Sequence, residues 1–419
     1  MAHRFGMTAL ACALAAPWAA SAADGEGGFW PRFHGPNHDN TSVETGLLRA
    51  WPEGGPPLAW RFGECGEGYA GVSVAGGRIF TAGDFGAAEY VLCLDLGGTL
   101  LWKTANGRSW RGSTPGARTS PTASEGAVFH MNPTGRLAAF EAATGKELWA
   151  VDLREEFGAS PGAWGFSENL AVDGDLVLCA PGGARGRIVA LDKKTGATRW
   201  ANTALDDSAA YCSPIVVTHA GVRQYITLMR KALVGIDVRS GKLLWSHPHQ
   251  APYAMNITTP RYKDGCVFVA SGHNTGGRLV RIGAAGAAEV WFNNDIDNCH
   301  NGVAIIGGYM YGSGCRLHHD GLQCVEVATG KTMPALPALG KVSLTCADGM
   351  LVCLNQQRVV SLVRPDPEGS AIVSSFTLPA ASKDDTLAHP VVCGGRLYLR
   401  HAANLYAYDI RAAAAAERR

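Results

Sequence analysis

Ala190-Leu191-Asp192, followed by Thr195-Gly196 and closed by Trp200, is one copy of a unit that recurs along most of the chain. Val91-Leu92-Cys93-Leu94-Asp95 with Gly97-Gly98 and Leu101-Trp102 precedes it, as does Leu137-Ala138-Ala139-Phe140-Glu141 with Thr144-Gly145 and Leu148-Trp149. Ile236-Asp237 with Ser240-Gly241 and Leu244-Trp245 follows, then a degenerate Ile282-Gly283 with Val290-Trp291. Val325-Glu326 with Thr329-Gly330 ends at Met333, and a seventh copy survives as Leu362-Val363 followed by Phe376. From Trp60 to Phe376 the closing position returns every 42 to 51 residues, the period of a four-stranded propeller blade.

Each unit has the same order of signals: a Ser-Pro or Thr-Pro start, a short apolar strand, a Gly turn, a β-branched strand, a loop, the Leu-Asp strand, a Thr-Gly turn and a Trp-ended strand. Ser120-Pro121, Ser213-Pro214, Thr259-Pro260 and His389-Pro390 mark four starts. The connections are too short for crossover helices, so the strands must run antiparallel. The Thr-Gly turn needs a residue tolerant of positive φ, and the preceding acid can accept backbone N–H bonds there. Trp60, Trp102, Trp149, Trp200, Trp245 and Trp291 read as packing bodies between neighbouring sheets, each with an indole N–H to place.

The last unit has three strands, Val391-Val392-Cys393, Arg396 to Leu399 and Leu405 to Tyr408. The missing outer strand is Pro57 to Phe62, which carries Trp60 with no blade before it. The expected fold is therefore all-β: an eight-bladed β-propeller of four-stranded antiparallel blades over residues 57–410. Pairing of the N- and C-terminal strands closes the ring and removes exposed edges. Residues 23–56 read as an N-terminal extension packed outside, and 411–419 as a disordered tail.

Composition agrees with this reading. The 419 residues are 47% hydrophobic and 17% charged, with 53 Gly and 21 Pro, which excludes a disordered chain and an all-α bundle. The net charge of +1 provides no electrostatic drive toward a phosphate backbone, so no nucleic-acid partner is expected. Residues 1–22 have the marks of a signal peptide: Arg4, an apolar run from Met7 to Ala16 and small residues Ala20-Ser21-Ala22. An exported protein of the periplasm or cell envelope, monomeric and without a transmembrane segment, is the expectation. Eleven cysteines follow that leader with no CxxC. Cys93 and Cys324 share one repeat slot, and Cys179 and Cys353 another, where Cys reads as a small buried apolar residue. A bridge between Cys315 and Cys324, or between Cys299 and a loop neighbour, stays open in an oxidising compartment.

The repeat, together with Trp30-Pro31-Arg32-Phe33-His34-Gly35-Pro36, Trp164 to Glu168 and Asn298 to Gly302, resembles the PQQ-binding-like, or quinoprotein-dehydrogenase-like, β-propeller repeat proteins. That group is also similar to the outer-membrane assembly lipoprotein BamB. Dehydrogenases of this superfamily hold pyrroloquinoline quinone over calcium, stacked on Trp and covered by a disulfide between adjacent cysteines. This sequence has no Cys-Cys pair, and Cys299-His300 has Ile296 where a c-type haem signature needs its first Cys.

In a propeller the ligand face is formed by loops leading into the inner strands and by loops between second and third strands. Those loops supply Arg118, Trp164, Tyr211, Asn256, His300 and His389 as candidate funnel residues for a planar anion, through stacking and Arg pairing. Asp295, Asp297 and His300 offer a weak metal set, and His318-His319-Asp320 a weaker one. No GxSxG, HExxH or P-loop occurs. The leading expectation is a non-catalytic binding or scaffold propeller without a cofactor, acting on an envelope protein or small ligand. The alternative is a calcium- and quinone-dependent alcohol or sugar dehydrogenase, with Asp297 as base and Arg118 against a quinone oxygen. A lectin-like propeller presenting Trp110 and Trp164 is a third.

Overall fold

The structure is a computed structural model, and it describes residues 28–299, 302–315, 321–382 and 386–412. The signal-peptide reading of 1–22, together with His300, His318, His319 and Asp320, lies outside the described residues. So does most of the expected tail, from 413 onward.

The described strands form eight sheets, each built on four antiparallel strands, one of which gains a short fifth strand in parallel. Blades one to seven span 73–108, 122–152, 171–202, 215–248, 261–293, 303–336 and 342–377. Blade eight joins Val391–Cys393, Arg396–His401 and Asn404–Asp409 to Leu58–Phe62 as its outer strand. Trp60 pairs with Ala407 across that seam, so the ring is closed by strands from both ends of the chain. Among the described residues the one α-helix is the turn Leu153–Phe157, capped by Asp152, after blade two. No described helix is long and apolar enough to cross a membrane.

The core is divided among the sheet interfaces. Period-two alternation sends successive side chains to opposite faces of a strand, and both faces here are apolar. Ile79 packs against blade eight with Tyr398 and Leu405, while its neighbour Phe80 packs against blade two with Val128 and Ala138. The same division recurs around the ring, as with Tyr225 toward blade three and Ile226 toward blade five.

Five of the six closing tryptophans dock on the glycine-bearing turn of the next blade. Trp60, Trp102, Trp149, Trp200 and Trp291 donate their indole N–H to Leu96, Ala142, Lys193, Val238 and Val327 carbonyls at 2.8–3.0 Å. Gly145, at φ +73°, lies so close under Trp102 that a Cβ would come within 2.5 Å of the indole. The turn residue must therefore be Gly twice over, for its backbone and for its missing side chain.

The segment around residues 30–42 differs from the expectation that the extension packs outside. Trp30 exchanges backbone hydrogen bonds with Val74 in blade one, and Pro31 accepts from Ala123 in blade two. Arg32 donates to the Val172 carbonyl in blade three, and Arg261 of blade five donates to the His38 carbonyl. Asn40 bonds Leu344 and Thr345 of blade seven, where Thr41–Ser42 adds a short parallel strand. A segment touching the inner strands of five blades around a ring lies in the axial channel. It sits at the far ends of those strands, so it plugs one mouth. Its backbone polar groups pair partly with strands and partly within its own turns, and its buried side chains, Trp30, Arg32, His34, His38 and Asn40, fill a space that would otherwise be a water-filled bore.

Candidate functional site

The opposite mouth is open. A cavity of about 260 Å³ lies where the inner strands begin. Gly71, Ser120, Asn169, Ser213, Thr259, Gly302 and His389 line it from seven blades, and Phe33 and His34 of the plug line it as well. Several of these residues precede a proline, which holds the preceding residue in extended backbone and so sets it at the lip of the strand.

The lip residues bind one another from blade to blade. Ser120 N–H donates to Asn169 Oδ1 at 2.6 Å, and Asn169 donates to Ser213 Oγ at 2.8 Å. Farther round, Thr258 Oγ1 reaches the Cys299 carbonyl at 2.6 Å. This collar links blades two, three and four, and blades five and six, and fixes the cavity's rim.

Phe33 stacks on His34 with ring centroids 3.9 Å apart, and His34 Nε2 lies 3.3 Å from His389 Nδ1. Burial first, then the neighbouring His389, pushes His34 well below the ordinary imidazole range, so it is neutral at physiological pH. Trp164 and Tyr211 meet edge to face at 5.7 Å on the wall. Tyr69, Met255, Ile257 and Leu387 complete a mainly apolar surface.

Among the described lining residues Arg118 carries the guanidinium. Its Nη2 donates to the Thr114 carbonyl, and its guanidinium stands 5.6 Å from the Trp110 ring. Burial lowers its pKa while the nearby Glu89 carboxyl opposes that shift. Glu89 is wholly buried, and burial and the adjoining Asp84 drive it well above the usual carboxylate range. Asp84 and Glu89 are cross-strand partners in blade one, and the Asp84 carboxylate accepts the Trp110 N–H. Behind them, Arg400 caps the Ala70 and Gly66 carbonyls and Thr81 Oγ1.

Arg118, Trp164, Tyr211 and His389 therefore share one cavity, as the loop reading grouped them. Asn256 does not line it: its amide donates to the Met229 and His249 carbonyls and accepts from Ser271, fully buried between blades four and five. Asp297 is buried beside the cavity and accepts the Cys315 N–H at 2.9 Å. Asp295 is hydrogen-bonded by Thr332. Among the described residues no three His, Cys, Asp or Glu side chains converge as a metal set. Sequence reasoning missed Phe33 and His34, because nothing local says that an extension will enter the channel. Ser120, Ser213 and Thr259 were visible as Ser-Pro and Thr-Pro starts, a signal that also marks the lip.

These features define a closed eight-bladed propeller with one channel mouth plugged and the other opening as an apolar, Arg-bearing pocket. Residues 87–334 match the family described as outer membrane protein assembly factor BamB, and the chain belongs to that family. It is 22% identical over 236 residues to the Shewanella oneidensis outer membrane protein assembly factor BamB, covering 55% of this chain and 54% of the relative. The chain thus aligns with about half the length of that relative. In fold it is similar to BamB from Moraxella catarrhalis, with TM-score 0.62, 15% identity and coverage of 85% and 100%. It is also similar to the quinohemoprotein alcohol dehydrogenase from Comamonas testosteroni, with TM-score 0.69, 12% identity and coverage of 92% and 81%.

Proposed function

We propose that this chain is a non-catalytic binding propeller of the cell envelope, whose open pocket receives a planar apolar group carrying an anionic end. The observation that carries this reading is the lining itself: aromatic and aliphatic walls, one guanidinium at Arg118, and no Asp or Glu among the described lining residues. Such a pocket recognises by stacking and charge pairing. Among the described lining residues none offers a carboxylate to act as general base. The BamB relatives, named as assembly factors, support an envelope setting and a protein partner that presents this group.

The runner-up is a quinone- and calcium-dependent dehydrogenase, favoured by Arg118 and Trp164 sharing a cavity of suitable shape. Calcium takes several oxygen ligands, carboxylates foremost, and the described lining residues do not fit that need. Asp297, the base in that reading, is turned to the Cys315 amide.

Titration of the purified protein with pyrroloquinoline quinone, a planar aromatic carboxylate, with and without calcium, separates the two. Tryptophan quenching that needs no calcium and is lost in Arg118→Ala, with no dye reduction on alcohols or sugars, is the expected result. Calcium-dependent saturation with turnover overturns it in favour of the dehydrogenase, and no binding at micromolar probe removes the pocket as an anion site.

A further inference from the structure

Cys299 closes the loop before the inner strand Val303–Ile306 of blade six, and Cys315 follows that blade's second strand, Tyr309–Ser313. Both sulfurs lie within 2.9 Å of the point that a Cβ on Gly272 of blade five would occupy. Only a glycine there leaves room for the two thiols side by side. The two thiols face each other across that point, and their contact favours the proton on Cys299 rather than Cys315.

Other donors converge on the same atom. The His273 backbone N–H points to Cys315 Sγ, and Lys341 Nζ stands 3.8 Å away. An ammonium and an N–H beside a sulfur favour the thiolate, the reactive form of cysteine. The direction of its acidity agrees: the contact with Cys299 and Lys341 lowers Cys315, while Cys299 is raised by the same contact and by burial. Cys315 is also partly exposed, whereas Cys299 and the other described cysteines are buried. Cys353, by contrast, is pushed up by desolvation alone.

We propose that Cys299 and Cys315 are a reactive dithiol that closes to a disulfide by exchange with a low-molecular-weight or protein disulfide. The Cys315 thiolate attacks one sulfur of the donor, forming a mixed disulfide as the donor's S–S bond breaks and its other sulfur leaves as a thiolate. Cys299 then loses its proton to that thiolate and attacks the Cys315 sulfur, expelling the second donor thiolate. The two cysteines are oxidised by two electrons and the donor is reduced to two thiols. The bridge pins the blade-six loop, whose Gly302 lines the pocket and whose Cys299 carbonyl receives the Thr258 hydroxyl.

The test is to incubate the full chain with oxidised glutathione, alkylate the remaining thiols and map the peptides by mass spectrometry. The expected product is a peptide joining Cys299 to Cys315, lighter by two hydrogens than the dithiol. Cys299→Ser should stop at a glutathione adduct on Cys315, and Cys315→Ser should give neither product. On the native unoxidised protein, iodoacetamide should label Cys315 at least about tenfold faster than any other cysteine, and Lys341→Met should slow that labelling. Labelling of Cys315 no faster than the buried cysteines, or oxidation that never yields the 299–315 peptide, overturns the proposal.

Discussion

Trp245 donates its indole N–H to Gln224 Oε1 at 2.8 Å, within its own blade, while the other docking tryptophans bond a carbonyl of the next blade. The cause lies in the following repeat. Blade five replaces the Thr-Gly turn with Gly283 to Gly286, where nothing comes within 4 Å of a Cβ placed on either glycine. Trp245 finds no glycine seat on that turn; it packs against Val267 and Val280 of blade five and lies over Gly235, whose missing side chain admits the ring.

Gln224 is buried, so Gln224→Ala leaves the Trp245 N–H without its acceptor. The expected loss is about 1–3 kcal/mol, read as a lower urea midpoint. A midpoint equal to the parent's would mean that the indole finds another acceptor and that the in-blade bond has no energetic role.

The two kinds of turn provide a matched pair. Gly145→Ala places a methyl against the Trp102 indole at a positive φ and should destabilise by about 2–4 kcal/mol. Gly283→Ala meets open space and should stay within about 0.5 kcal/mol of the parent. Thermal denaturation of both variants checks the contrast, and equal shifts would refute the docking account.

The plug depends on Asn40, which has φ +53° and is fully buried. Its amide donates to the Leu344 carbonyl at 2.5 Å and accepts from Thr345 Oγ1 at 3.1 Å. Asn40→Ala should cost about 2–3 kcal/mol and speed amide exchange across 30–42 ahead of global unfolding. Unchanged exchange in that segment would show that Asn40 does not anchor it.

Glu168 is buried between Tyr225 O–H and the Ala180 N–H, and burial raises it from 4.5 to about 7. The folded state therefore keeps a proton that the unfolded chain has already lost. Stability falls as pH rises from about 4.5 to about 7 and is level above that. Glu168→Gln keeps the Ala180 N–H bond at its amide oxygen, turns the Tyr225 bond round so that the phenol oxygen accepts from the amide NH2, and removes the titration. Relative to the parent, the variant should gain stability across this window, by at most about 3 kcal/mol above pH 7. His130 and His249, held low by burial at about 4 and about 3, act equally in both proteins and drop out of the difference. A pH-independent gap between the two would refute the assignment.

Much of the molecule was legible in the residues. The blade count followed from the spacing of one aromatic position, and the closing seam from Trp60 standing alone before the first unit and three strands standing alone after the last. Arg118, Trp164, Tyr211 and His389 were legible as pocket residues because their loops lead into inner strands. Asn256 sits in an equivalent loop yet points inward to the Met229 and His249 carbonyls, a choice set by packing between blades four and five that no pattern encodes.

The sequence by itself determined the architecture, because a propeller is built from local repeats: period-two apolar strands, turns that demand Gly and a Trp that needs a neighbour. Only the tertiary structure decided the site, because its parts come from distant points on the chain. His34 and His389 meet across 355 positions, and Cys299 and Cys315 meet only because blade five leaves a glycine between them. Proximity of that kind is a property of the closed ring, and no short stretch of sequence carries it.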